Sequence, residues 1–172
     1  MLLPLLAAEG ATLFNVSRLL TAHAFIGMFL VPVVLLKLVS TGWRMIGYYR
    51  GTQEYVLRGP PHVAIRLLVA PALVASTVVL FGTGIALLAL DQTHGTLVGL
   101  HKASFVVWAG AFGLHLLTRV PALVRSLRRP AAARVAAATL SVVAGVTLAT
   151  LTLPAADRLQ DNVTVYAGFD AH

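Results

Sequence analysis

The chain contains no cysteine, which excludes disulfides and thiolate metal sites and leaves the redox character of its compartment unmarked. Charge is almost as scarce. Only 11% of the 172 residues are Asp, Glu, Lys or Arg, against about a quarter in an ordinary soluble domain. With 58% hydrophobic residues, a chain of this size has too little polar surface to face water on all sides, so much of its solvent must be lipid. A Gly-rich nucleotide loop is absent, and no segment reads as a flavin domain, soluble domain, internal repeat or linker.

What the chain has instead is long apolar runs. No charge occurs from Leu19 to Leu36, Leu67 to Leu90, Ala103 to Thr118 or Val135 to Ala156, runs of 18, 24, 16 and 22 residues. The third extends backwards through Gln92–His101, interrupted only by Lys102. About 20 apolar residues span a bilayer as a helix, and in lipid each backbone amide must be satisfied within its own segment. The expectation is all-α: a single transmembrane domain over residues 1–172, a four-helix bundle running up-down-up-down, with spans at about 18–41, 66–90, 96–119 and 134–154. Met1 to Glu9 is apolar but too short to span and lacks the basic start of a signal peptide. It reads as an interfacial segment or as the end of a helix that begins upstream. Gly59-Pro60-Pro61 stops one helix and starts the next, Ala131–Ala138 belongs to the fourth helix, and the polar tail after Pro154 reads as flexible.

The charges that exist are unevenly placed. Arg44, Arg50, Arg58 and Arg66 lie between the first two spans, and Arg119, Arg125, Arg128, Arg129 and Arg134 between the last two. Nine of the thirteen basic residues therefore share one face, which the positive-inside rule puts in the cytoplasm. Both termini then lie on the outer side of a multi-pass protein of the plasma membrane. Trp43, Tyr48, Tyr49 and Tyr55 sit where an inner aromatic belt belongs. Topology alone accounts for the net charge of +7, so no nucleic-acid partner is implied; the partner is the lipid bilayer.

Polar groups inside a bilayer are costly and are kept mainly for a purpose. Three histidines lie within spans: His23 in the first, His101 and His115 in the third. His62 and His94 lie in loops, His94 in a turn beside Gly95. His101 and His115 are 14 residues apart, four turns less about 40°, so they project from one face about 21 Å apart along the axis. The first and third helices run parallel, and His23 and His101 each lie about a turn inside, at similar depth. A porphyrin standing between two such helices takes one axial imidazole from each. A lone buried histidine is better explained by an interhelical hydrogen bond; this constellation favours haem iron held by His23 and His101, with His115 serving a second, inner site. Ala22, Ala24 and Gly27 around His23, and Gly110 and Gly113 near His115, leave space for a flat macrocycle, although small residues also simply let membrane helices approach. Trp108, seven residues from each histidine of the third helix, fills a gap between two haems or is an ordinary packing aromatic.

The spacing from Leu100-His101-Lys102 to Leu114-His115-Leu116, with the first span LTAHAFIGMFLVPVVLLKL and the stretch LHKASFVVWAGAFGLHLL, resembles four-helix membrane cytochromes b of the diheme type and uncharacterised actinobacterial membrane proteins of the same general kind. The likeness covers residues 15–128. It implies an electron-transfer subunit of an oxidoreductase, carrying electrons by one or two b-type haems between a quinone pool and a separate partner redox protein. A diheme member has a second histidine 14 residues after His23, and here that position is Lys37. Either Lys37 serves the inner iron as a neutral amine, or His62 lies opposite His115, or there is one haem. Lys37 also reads as a lysine snorkelling to the cytoplasmic surface. Arg18 and Lys102 are placed for outer propionates, Arg66 and Arg119 for inner ones; topology and headgroup contact explain each equally well. Haem would be non-covalent, since Cys-x-x-Cys-His is absent. Two rival functions stand beside this one. A proton or ion pathway would use His23, Lys37 and His115, but the spans contain no acid. A structural membrane anchor leaves the histidines unexplained.

Overall fold

An uncharged run in lipid can satisfy its amides only as a helix, and in the computed structural model each of the four runs is one. The structure describes residues 2–51, 68–126 and 132–169. They form five helices: α1 (Leu2–Thr12), α2 (Leu20–Tyr49), α3 (Ala70–Leu90), α4 (Thr96–Ser126) and α5 (Ala132–Phe169), with one 3-10 turn at Leu13–Asn15 between α1 and α2. Four are long and apolar enough to cross a membrane, over Leu20–Gly47, Ala70–Leu90, Thr96–Thr118 and Val135–Thr164. Their outward faces carry largely exposed Val39, Val106, Leu117, Leu140 and Leu151, the surface of a chain whose solvent is hydrocarbon. Hydroxyls on these helices turn back on their own carbonyls, as Thr77 does to Leu73, Thr147 to Val143 and Thr152 to Leu148, which costs the lipid-facing surface no open donor. Gly59-Pro60-Pro61, His62 and Arg66 lie outside the described residues.

The helices pack as two antiparallel pairs, α2 with α5 and α3 with α4, and α3 joins the pairs by touching both α2 and α5. The small residue Gly145 sets the closest approach of α2 and α5. A Cβ there would stand 2.5 Å from the Phe29 carbonyl oxygen, so only glycine admits this crossing. Met28, Leu88, Ala149, Ala156 and Leu159 form the buried core. The α3–α4 connection is short because Asp91 caps α3 in the left-handed conformation, its N–H bonded to the Leu87 carbonyl, and Gly95, at φ +93°, turns the chain into α4. Among the described residues α4 packs chiefly along α3, and its meeting with α2 is at His23 and His101.

One expectation needs correction. From Pro154 to Phe169 the chain is not a flexible tail but the last four turns of α5. Pro154 removes one helical hydrogen bond, and the neighbouring start of α2 holds the continuation in place. Ala156 and Leu159 are buried. The Gln160 carboxamide accepts from the Leu20 and Thr21 amides and donates to the Ser17 carbonyl, satisfying the open N-terminus of α2 as an N-cap side chain does. Asn162 donates to the Asp91 carboxylate at 2.9 Å. The N-terminal segment is a helix, α1, packed along α2.

Candidate functional site: a facing pair of histidines

Two imidazoles meet between α2 and α4, at the end of the bundle where α2 and α4 begin. His23, in the first turn of α2, and His101, in the second turn of α4, have ring centroids 6.4 Å apart and ring planes at 86°. Each ring is held at the same atom. On the α2 side, His23 Nδ1 lies 2.8 Å from Thr12 Oγ1 and 3.1 Å from Glu9 Oε1. The Thr12 hydroxyl already donates to the Glu9 carbonyl at 2.6 Å, so towards His23 its oxygen accepts. On the α4 side, His101 Nδ1 lies 3.1 Å from the Leu80 carbonyl and 3.0 Å from Thr83 Oγ1. A carbonyl only accepts, and the Thr83 hydroxyl donates to Val79 at 2.7 Å. The network therefore assigns a proton to Nδ1 of both rings and a lone pair to Nε2 of both. No hydrogen bond among the described residues involves either Nε2. Two lone-pair nitrogens cannot bond to each other.

Glu9 enters this site from outside the four spans. Its second carboxyl oxygen is buried without a partner, and burial pushes the carboxyl up to about 8. At neutral pH the contact with His23 is thus a hydrogen bond to a largely neutral acid, not an ion pair. Two glycines make the fit. Gly27 lies against Glu9, where a Cβ would stand 3.4 Å from Oε1, and Gly84 lies against His101, where a Cβ would stand 3.2 Å from Cε1.

The structure thus brings His23 and His101 together at the depth that helix counting anticipates. The other candidates are more scattered. Arg18 and Lys102 are exposed near the same end of the bundle. His94 is exposed beside Gly95, its Nδ1 3.2 Å from the Thr93 hydroxyl. Lys37 is exposed on α2 and His115 half-buried on α4, helices that do not form a packed pair. Arg119 lies in α4 with its side chain outside the described residues. Trp108 packs: its indole N–H donates to Thr77 Oγ1 at 3.0 Å and its ring stacks on Phe112 at 4.8 Å. Gly110 and Gly113 have nothing within 4 Å of a Cβ position. An open groove of about 410 Å³ between α2 and α5, lined by Val31, Pro32, Leu35 and Leu151 among others, is away from the histidines.

Glu9, Thr12, Thr83 and Gly84 escaped the reading of the sequence. A signal existed for two of them. Glu9 is a lone acid in an apolar segment, and Thr83 lies about two turns before a short helical hairpin whose other arm carries His101 about two turns after it. Among the described residues no group of three or more metal-ligating side chains converges on one point. Set against protein-family models, curated proteins and solved structures, the chain matches none.

Proposed function

We propose that the chain is a membrane cytochrome that holds one b-type haem between His23 and His101 and passes electrons within the bilayer. The observation that carries this reading is the pair of Nδ1-anchored imidazoles, perpendicular and 6.4 Å apart, with both Nε2 lone pairs left to donate. An iron bonded to one nitrogen of each ring at about 2 Å would set the ring centres about 6 Å apart. A bare ion such as zinc needs three or four protein ligands, and no third ligand converges here. Haem iron brings its own four equatorial nitrogens and asks the protein for two axial ones. The donor set fits that demand.

When bound, the haem supplies one-electron chemistry. The chain's own residues do the rest. Thr12, Glu9, Thr83 and the Leu80 carbonyl fix the tautomer and orientation of the two axial ligands. Arg18 and Lys102, exposed at the same end, are placed for the propionates. The positive-inside rule puts this site near the outer face, so electrons exchange there with a quinone or a separate redox protein.

Glu9 gives a second reading some ground, because it supplies the acid that a proton path through the spans lacks. That path would run Glu9, His23, His101. Against it, both Nε2 atoms are acceptors, so no N–H lies between the two rings for a proton to move along. One measurement separates the readings. The protein purified from membranes with ample haem supply is expected to show a reduced-minus-oxidised b-type spectrum; a colourless preparation leaves the proton path.

A further inference from the structure

The chemistry of His23 depends on a segment that lies outside the membrane-spanning helices. α1 is apolar, LLPLLAAEGAT, and is not among the four candidate spans. Yet its last turn supplies both polar partners of an imidazole buried in the bundle. Thr12, itself buried, accepts from Nδ1 at 2.8 Å and Glu9 accepts from the same N–H at 3.1 Å. The Thr12 hydroxyl is tied to the Glu9 carbonyl, so the two acceptors form one rigid unit. Gly27, one turn beyond His23, lies in contact with the Glu9 carboxyl. By contrast His101 is held by its packed neighbour α3 through Leu80 and Thr83, and needs no extra element.

We infer that α1 is a clamp for the axial ligand His23, with Glu9 and Thr12 as positioning residues that hold its Nε2 towards the haem iron. The inference rests on the cytochrome reading proposed above. In that role α1 does what the neighbouring helix does for His101: it fixes the tautomer, stops ring rotation and keeps the two imidazole planes perpendicular. Losing partners of this kind typically costs 10–100-fold in metal affinity.

The test uses the full-length protein in detergent, as wild type, Glu9→Gln, Thr12→Val and the double variant Glu9→Leu/Thr12→Val. Haem loss is followed by transfer to an excess of apomyoglobin, and the orientation of the axial rings by low-temperature electron paramagnetic resonance of the ferric state. The double variant is expected to release haem 10–100-fold faster and to lose the g-values of perpendicular imidazole planes. Glu9→Gln keeps a carbonyl oxygen at the acceptor position, so it should stay within a few-fold of wild type with its g-values intact. A merely structural role for α1 would leave those g-values unmoved in the double variant, and that result, or an unchanged rate of haem release, overturns the clamp. Should the double variant not fold, Thr12→Val alone decides, by the same two readings. A wild type that carries no haem overturns the cytochrome reading itself, and the clamp with it.

Discussion

The two ends of the bundle are built differently. At the end that holds α1, polar groups near the helix starts are met from other elements: Gln160 on the first amides of α2, Asn162 on the cap of α3, Glu9 and Thr12 on His23, Thr83 on His101. Towards the inner end the helices carry exposed Leu35, Lys37, Val39 and Trp43 on α2 and exposed Leu114 and Leu117 on α4, and Gly110 and Gly113 face open space. The contrast teaches that spacing alone does not make a site. His23 and Lys37 stand 14 residues apart, as do His101 and His115, but it is His23 and His101 whose rings meet, 6.4 Å apart, while Lys37 is exposed and His115 half-buried.

The sharpest way to break this comparison is to remove the outer ligands. His101→Ala and His23→Ala should each abolish the b-type spectrum, because one axial imidazole does not hold a haem that needs two from facing helices. His94→Ala should leave the spectrum as it is, since His94 sits exposed in the turn. A full spectrum from either of the first two variants would move the iron away from this pair.

The next largest effect concerns stability and not colour. Gln160→Leu removes the acceptor of the Leu20 and Thr21 amides and the donor to Ser17. Loss of an N-cap side chain costs about 1–2 kcal/mol, and the variant should unfold at correspondingly lower denaturant in detergent, with haem still bound in the folded fraction. Unchanged unfolding would mean that water replaces Gln160 at the start of α2.

Much of this was legible in the sequence, and the limits have physical causes. Four uncharged runs specify four helices because lipid leaves the backbone no other choice, and the levels of His23 and His101 follow from counting turns. Helix ends were less legible, because once α5 leaves the lipid its signal is no longer apolar length but side-chain hydrogen bonds such as Gln160 to Leu20, which join residues 140 positions apart. Glu9 was hidden for the same reason. Its role depends on α1 folding back along α2, and nothing in a nine-residue apolar stretch announces where it docks.

A smaller effect tests the burial of Glu9. Its carboxyl is raised from 4.5 to about 8, so between those values the folded chain holds a proton that the unfolded chain has released. Stability from this group is fully present below about 4.5 and is lost as pH rises through about 8. The haem-free protein should therefore unfold more easily as pH climbs across that window, and Glu9→Gln, which does not ionise, should flatten the slope. Parallel profiles for the two proteins would show that water reaches the carboxyl freely.

The smallest effect is expected at Lys37. It lies 14 residues after His23, about 21 Å along α2 at 1.5 Å per residue, and its side chain is exposed. A lysine so placed near the basic, inner end of a spanning helix carries its charge to the headgroups while its stem lies along the lipid. Acting as an axial amine, it would have to be neutral and turned into the space between α2 and α4, and an exposed position favours neither. Lys37→Met should therefore leave the optical spectrum and midpoint potential of the haem at His23 and His101 unchanged, with a slightly altered yield in membranes as the visible consequence of losing one inner charge. A second haem signal in the wild type that shifts in Lys37→Met while the first stays fixed would reverse the contrast between the ends: the inner level would then hold an iron too, with Lys37 as its ligand.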